Sequence, residues 1–174
     1  AREPFDVTMA RDVLAPLGMA GTALEDEDVS QATGYFPRAA TNPALGLQDA
    51  PEADYSCFAG AGQYLSTAAD LARFGGAMVT PGFLRAETLA SLLTPMRLES
   101  GAVVGMARGW RIEEMMRAGR SVRVLTQRGT PMGATAVVLL VPDEQLAVAL
   151  TSNVSYAKGL DALARAVAES FGST

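Results

Sequence analysis

Apolar and polar positions change their period near residue 109, and that change divides the chain. Before it, apolar residues recur at helical spacing. Phe5, Met9 and Val13 stand four apart behind Pro4, which suits a first helical turn, so they predict an opening helix that Pro16 and Gly18 stop. Thr67-Ala68-Ala69-Asp70 reads as a second start: the hydroxyl accepts from an early N–H and the carboxylate favours the positive helix end. Leu71, Phe74 and Met78 supply the buried face of that helix, and Pro81-Gly82 ends it. A shorter helix runs from about Ala86 to Leu93 and closes at Thr94-Pro95.

After Gly109 the period is that of strands. Trp110 to Met116, Val122 to Thr126, Ala134 to Val141 and Leu146 to Thr151, with turns at Ala118-Gly119-Arg120 and Pro142-Asp143-Glu144, predict a four-stranded antiparallel meander. Ala134 to Val141 is almost continuously apolar, the pattern of a central strand covered on both faces. A final helix carries Leu160, Leu163, Val167 and Phe171 on one stripe that should pack on the sheet. Nothing obvious covers the sheet edge beyond the last hairpin, so further strands are expected. The fold class is α/β in the α+β sense, an antiparallel sheet of at least four strands with flanking helices. The expected single domain, 1–174, divides into a helix and turn (1–24), a long excursion (25–58), helices (59–95), and the sheet with its terminal helix (109–174). The excursion has no sustained period, and a connection of that length is expected to line or cover a cleft.

The stretch that attracts chemical attention is Thr126-Gln127-Arg128-Gly129-Thr130-Pro131-Met132-Gly133, read as a loop between two apolar strands. Its glycines permit close backbone approach to a ligand, and Thr-Pro stiffens its middle. Arg128 is able to grip a carboxylate bidentately. The plain alternative is a surface connection with Arg128 solvated.

Composition narrows the functions available. The chain is 49% hydrophobic and 19% charged, enough for one substantial core. A net charge of −5 and scattered basic residues argue against a nucleic-acid partner, which needs clustered Lys/Arg. No apolar run is long enough to span a bilayer, and no signal-peptide stretch follows Ala1. Histidine is absent, which removes a histidine triad and the commonest metal ligand. No cofactor or metal is called for. Glu25-Asp26-Glu27-Asp28 lacks the glycine and spaced oxygens of an EF-hand loop and reads, with Glu113 and Glu114, as solvated charge. Cys57, the single cysteine, reads as a small, partly buried apolar residue. Ser66 reads as part of a helix start beside Thr67, Tyr64 as a packing aromatic, and Met115-Met116 as a pair shared between core and surface.

The order of local motifs resembles the serine β-lactamase-like hydrolases of the class C type, which include penicillin-binding proteins and esterases. The segments that carry the resemblance are Val13 to Thr22, Ala61 to Phe74, Gly109-Trp110, Gly129 to Gly133 with the strand behind it, Pro142 and Asn153. The resemblance implies an acyl-enzyme mechanism with a Ser-x-x-Lys nucleophile, a Tyr-x-Asn proton-transfer motif and a Lys/His-Ser/Thr-Gly strand facing the substrate. It implies that the first two motifs belong upstream of the Pro16-Leu17-Gly18-Met19 segment. The expectation is therefore a C-terminal part, inactive alone, that works on a small-molecule or peptide substrate with an N-terminal half from the same precursor or another chain. A periplasmic or secreted setting follows from the resemblance only. The third motif falls on Gln127-Arg128-Gly129, where only the glycine matches, and Thr130 falls on the position whose backbone N–H serves as oxyanion donor. A non-catalytic binding or assembly module is the alternative. Ser155-Tyr156-Ala157-Lys158 fits Ser-x-x-Lys by letter, yet it follows the last strand and precedes Gly159, and it reads as a polar loop.

Overall fold

The computed structural model describes residues 3–24, 31–39, 42–58 and 60–171. Glu25 to Asp28 lie outside the described residues. A meander of β5 (Arg111–Arg117), β6 (Arg120–Gly129), β7 (Thr135–Val141) and β8 (Leu146–Ser152) forms one antiparallel sheet in that spatial order. α2 (Ala68–Ala77) and α3 (Ala86–Leu93) lie on one face, and α4 (Leu160–Ser170) lies on the other.

Because side chains alternate along a strand, β7 feeds both cores. Val138 and Leu140 join Leu125, Trp110, Met78, Val79, Leu89 and Leu93 on the α2–α3 side. Val137, Leu139 and Val141 join Val122, Val124, Met115 and Val148 under α4. This double coverage is why β7 lacks the polar alternation of its neighbours. α2 approaches the sheet so closely at Gly75 that a Cβ there would lie 2.9 Å from the Cβ of Ala147, which explains a glycine inside that helix.

The α4 stripe differs from its sequence reading. Leu163 and Phe171 point outward, 53% and 71% exposed, and the residues fully buried against β7 and β8 are Ala164 and Ala168. Small side chains let the helix axis come close, while Leu160 and Val167 flank the contact. Glu113 and Glu114 are not merely solvated. Arg165 on α4 pairs with the Glu113 carboxylate and donates to the Glu114 carbonyl at 3.3 Å, tying helix to strand, and Ser121 donates to the Glu114 carboxylate at 2.9 Å. Met115 is buried and Met116 exposed, as alternation requires.

The opening helix forms as α1 (Phe5–Met9) and continues as a π-helical turn over Ala10–Leu14. Its predicted apolar face is not a buried one: Phe5 is 47% exposed and meets the Tyr64 ring edge-on at 6.4 Å. β1 (Ala23–Leu24) pairs with β4 (Tyr64–Leu65), which brings the turn after α1 to the start of α2. Thr67 caps α2 by accepting from Asp70 N at 3.1 Å. Ser66 instead shares a 2.7 Å hydrogen bond with Thr22.

Asp70 does more than favour a helix end. It is 2% exposed and accepts from Gly21 N at 2.8 Å, Thr22 Oγ1 at 2.9 Å and Arg73 Nη1 at 2.5 Å. Asp70→Ala strands those inward donors, so it is expected to cost about 3 kcal/mol, lowering the melting midpoint by roughly 6–12 °C. A thermal melt unchanged by the substitution would show that the carboxylate does not hold these segments together.

The excursion is not structureless. β2 (Tyr35–Pro37) pairs with β3 (Leu47–Asp49) in a small hairpin, and short 3-10 turns cover Pro43–Leu45 and Ser56–Phe58. Cys57 sits in the second of these turns and is exposed, not partly buried, because the turn lies on the surface.

Candidate active site at the end of β6

β6 is longer than its apolar pattern indicates. The strand runs to Gly129, so Gln127, Arg128 and Gly129 are strand residues and the connecting loop is only 130–134. The register explains why the polar end stays extended: Arg111 at the start of β5 pairs with Thr126, while Gln127, Arg128 and Gly129 pair only with Val138, Val137 and Ala136 of β7. These three residues overhang β5. On that side an extended backbone presents unpaired N–H and C=O groups.

Alternation then separates their side chains. Gln127 and Gly129 share the face of Leu125, and Arg128 shares the α4 face of Val122 and Val124. Arg128 is paired there with the Asp161 carboxylate in the first turn of α4, and its Nη2 donates to the Ala157 carbonyl at 3.1 Å. Its bidentate capacity is spent within the protein. Gln127, Gly129 and Thr130 are exposed, and a Cβ added at Gly129 would meet nothing within 4 Å.

The loop admits a full accounting of its N–H groups. Pro131 has none. Ala134 N donates to the Pro131 carbonyl at 3.3 Å, Gly133 N to Ser155 Oγ at 2.7 Å, and Met132 N to Tyr55 Oη at 2.7 Å. Thr130 N has no acceptor among the described residues.

Two segments brace this loop. Gly34 lies against Gly133 so tightly that a Cβ on Gly34 would sit 2.7 Å from the Gly133 Cα, and Gly133 itself has φ +80°. Tyr35 N donates to the Asn153 carbonyl at 2.8 Å, Ser155 N donates to the Tyr35 carbonyl at 2.9 Å, and Asn153 Nδ2 reaches the Thr33 carbonyl at 2.9 Å. Thr135 Oγ1 donates to the Val154 carbonyl at 2.8 Å and accepts from Ala157 N at 3.0 Å. The excursion and the β8–α4 connection thus close on the loop from either side. Sequence reading named the loop but not Tyr55 or Gly34, and it met Ser155 only within a Ser-x-x-Lys pattern, because the partners lie tens of residues apart and no periodicity connects them.

Ser155 is 1% exposed and engaged with the Gly133 amide, Tyr156 has φ +55°, and α4 begins only at Leu160. No helix holds Ser155 and Lys158 on one face. Beside the loop, Ser56 N donates to Asp54 Oδ1 at 2.8 Å, and hydrogen bonding from Ser56 holds the Asp54 carboxyl below the usual carboxylate range. This local turn leads into Tyr55. Among the described residues, no cluster of metal-ligating side chains occurs and no helix is long and apolar enough to cross a membrane.

A helix-flanked antiparallel sheet of this kind is shared with solved structures of the β-lactamase and penicillin-binding-protein fold. A family model described as Beta-lactamase matches residues 1–171. The chain belongs to the beta-lactamase family. A human protein described as "Putative beta-lactamase-like 1" is 31% identical over 175 residues, an alignment covering 97% of this chain and 33% of that protein. Among solved structures, the D-stereospecific amidohydrolase from Streptomyces sp. superposes with a TM-score of 0.72 at 20% identity, covering 99% of this chain and 50% of its own. The D-amino acid amidase from Ochrobactrum anthropi SV3, complexed with D-phenylalanine, gives 0.62 at 18% identity and covers 95% and 53%. The octameric penicillin-binding protein homologue from Pyrococcus abyssi gives 0.61 at 20% identity, covering 87% and 34%. The chain thus spans between a third and about half of the length of these relatives.

Proposed function

We propose that this chain forms one wall of an acyl-transfer site in a serine hydrolase acting on an ester, amide or peptide. The observation that carries the reading is the loop accounting: three N–H groups of 130–134 are satisfied internally, and Thr130, at the mouth of an overhanging strand edge, is left to donate outward. A donor held in place before the reaction is what a developing oxyanion requires. The nucleophilic serine and its base belong to a Ser-x-x-Lys and a Tyr-x-Asn segment of an N-terminal half, in the same precursor or in another chain. In this scheme the base takes the serine proton as the serine attacks the substrate carbonyl, the carbonyl oxygen becomes anionic and accepts from Thr130 N–H, and collapse expels the leaving group, which receives that proton, to give an acyl-enzyme that water cleaves. Gln127 and Gly129 line the strand edge along which the substrate lies, with Gly129 giving the backbone room to be approached. The amide-cleaving activity named for two of the structural neighbours supports an amide among the candidate substrates.

Arg128 favours a second reading. Since its guanidinium is paired with Asp161 and Gln127 is uncharged, the strand end lacks the cation that the family motif places there, as a non-catalytic binding module would. Labelling the intact protein with a fluorophosphonate and mapping the adduct by peptide mass spectrometry separates the two. The hydrolase reading expects one adduct, on a serine outside residues 1–174. Complete absence of labelling leaves the binding module, and an adduct on Ser155 contradicts both.

A further inference from the structure

We propose that Tyr55 is a positioning residue for the Thr130 N–H, acting through the loop that carries it. The role in turnover rests on the acyl-transfer reading, whereas the geometry does not. Pro131 stiffens the step between Thr130 and Met132, so the direction of the Thr130 amide follows from where Met132 and Gly133 are fixed. Gly133 is fixed twice, by the Ser155 hydroxyl and by backbone contact with Gly34. Met132, 39% exposed, is fixed through its N–H to Tyr55 Oη at 2.7 Å, and its Sδ meets the Ser155 hydroxyl only at the longer distance of 4.0 Å. The hydroxyl comes from the excursion, 77 residues earlier in the chain. It is itself placed by an edge-on contact of its ring with Phe58 at 6.0 Å and by the Asp54–Ser56 turn beside it. Ala50 N, donating to the Gly34 carbonyl at 2.9 Å, joins the part of the excursion that leads to Tyr55 to the part that touches Gly133. The excursion is in this way a brace for the donor loop as well as a cover beside it.

Tyr55→Phe in the intact protein tests this, because it keeps the ring and its packing and removes only the hydroxyl. Amide exchange followed by nuclear magnetic resonance is expected to show the Met132 N–H losing about fivefold protection, with Gly133, held by Ser155, changing less. Ester turnover is expected to lose roughly tenfold to a hundredfold in kcat with KM within about twofold, the signature of a misaimed donor rather than lost substrate binding. An unchanged Met132 exchange rate overturns the proposal whatever the activity. Faster exchange with kcat unchanged overturns the link to turnover. If the wild-type protein does not turn over esters at all, faster exchange upholds the brace and the acyl-transfer reading is what fails.

Discussion

Arg117→Ala is expected to lower stability by about 3–5 kcal/mol, enough to move the melting midpoint by roughly 6–20 °C. The side chain is 4% exposed at the end of β5, and its Nε lies 2.5 Å from Glu144 Oε2 in the β7–β8 turn. Its Nη1 donates to the Ala168 carbonyl in the last turn of α4, where a cation also meets the negative end of the helix. One guanidinium thus ties together a hairpin end, a turn and a helix terminus. Removing it takes from the Ala168 carbonyl one of its two donors, the other being Phe171 N at 3.3 Å, and leaves a largely buried carboxylate whose other partner is Arg120 Nη2 at 3.2 Å, on a side chain 67% exposed. That outer pair lies in solvent and offsets little of the loss. Arg117→Lys is expected to fall between, since a single ammonium cannot serve both acceptors in the fork geometry. The double variant Arg117→Met, Glu144→Leu is expected to recover much of the loss, because the cost is that of an orphaned charge rather than of absent attraction. A melt that Arg117→Ala moves by less than about 3 °C would place this side chain in solvent.

The contrast between Arg117 and the meander around it shows which kind of information the sequence carries. β7 was legible because seven residues in a row report burial on both faces, and a hydrophobic pattern is a local property. The helices were legible for the same reason, down to the ends of α3 and the Thr67 cap of α2. Where polar residues decide the structure, the local signal fails. Gln127-Arg128-Gly129 carries no apolar alternation, so it looked like a loop, and only its pairing with β7 keeps it extended. Asp70 reads as a helix-start carboxylate until Gly21 and Thr22 arrive from 49 and 48 residues away. Leu163 and Phe171 take the expected stripe on paper, yet close packing selects Ala164 and Ala168, since a helix nearer the sheet excludes the larger side chains from the contact. For the candidate site this means that the loop's position was readable and its bracing was not. Tyr55 and Ser155 each contribute one hydroxyl, and nothing in their own neighbourhoods says which amide it meets.

Thr130→Pro is expected to reduce kcat/KM of the intact protein for an ester or amide by about 10²–10³, the loss associated with removing one oxyanion donor. The substitution suits the question, because the Thr130 N–H donates to nothing among the described residues and its removal breaks no hydrogen bond of the fold. Thr130 also precedes Pro131, so its backbone is already biased toward the extended region. The melting midpoint should therefore stay within a few degrees, and that control separates a lost donor from a damaged loop. Thr130→Ala is the companion: it deletes the exposed hydroxyl and methyl but keeps the N–H. The ratio of turnover between the alanine and proline variants isolates the amide itself. If the two variants lose activity equally while both remain folded, the Thr130 side chain and not its N–H carries the effect, and the oxyanion assignment fails. If neither loses activity in a protein that acylates, the oxyanion is held elsewhere, and the outward-facing amide at the end of β6 has no part in turnover.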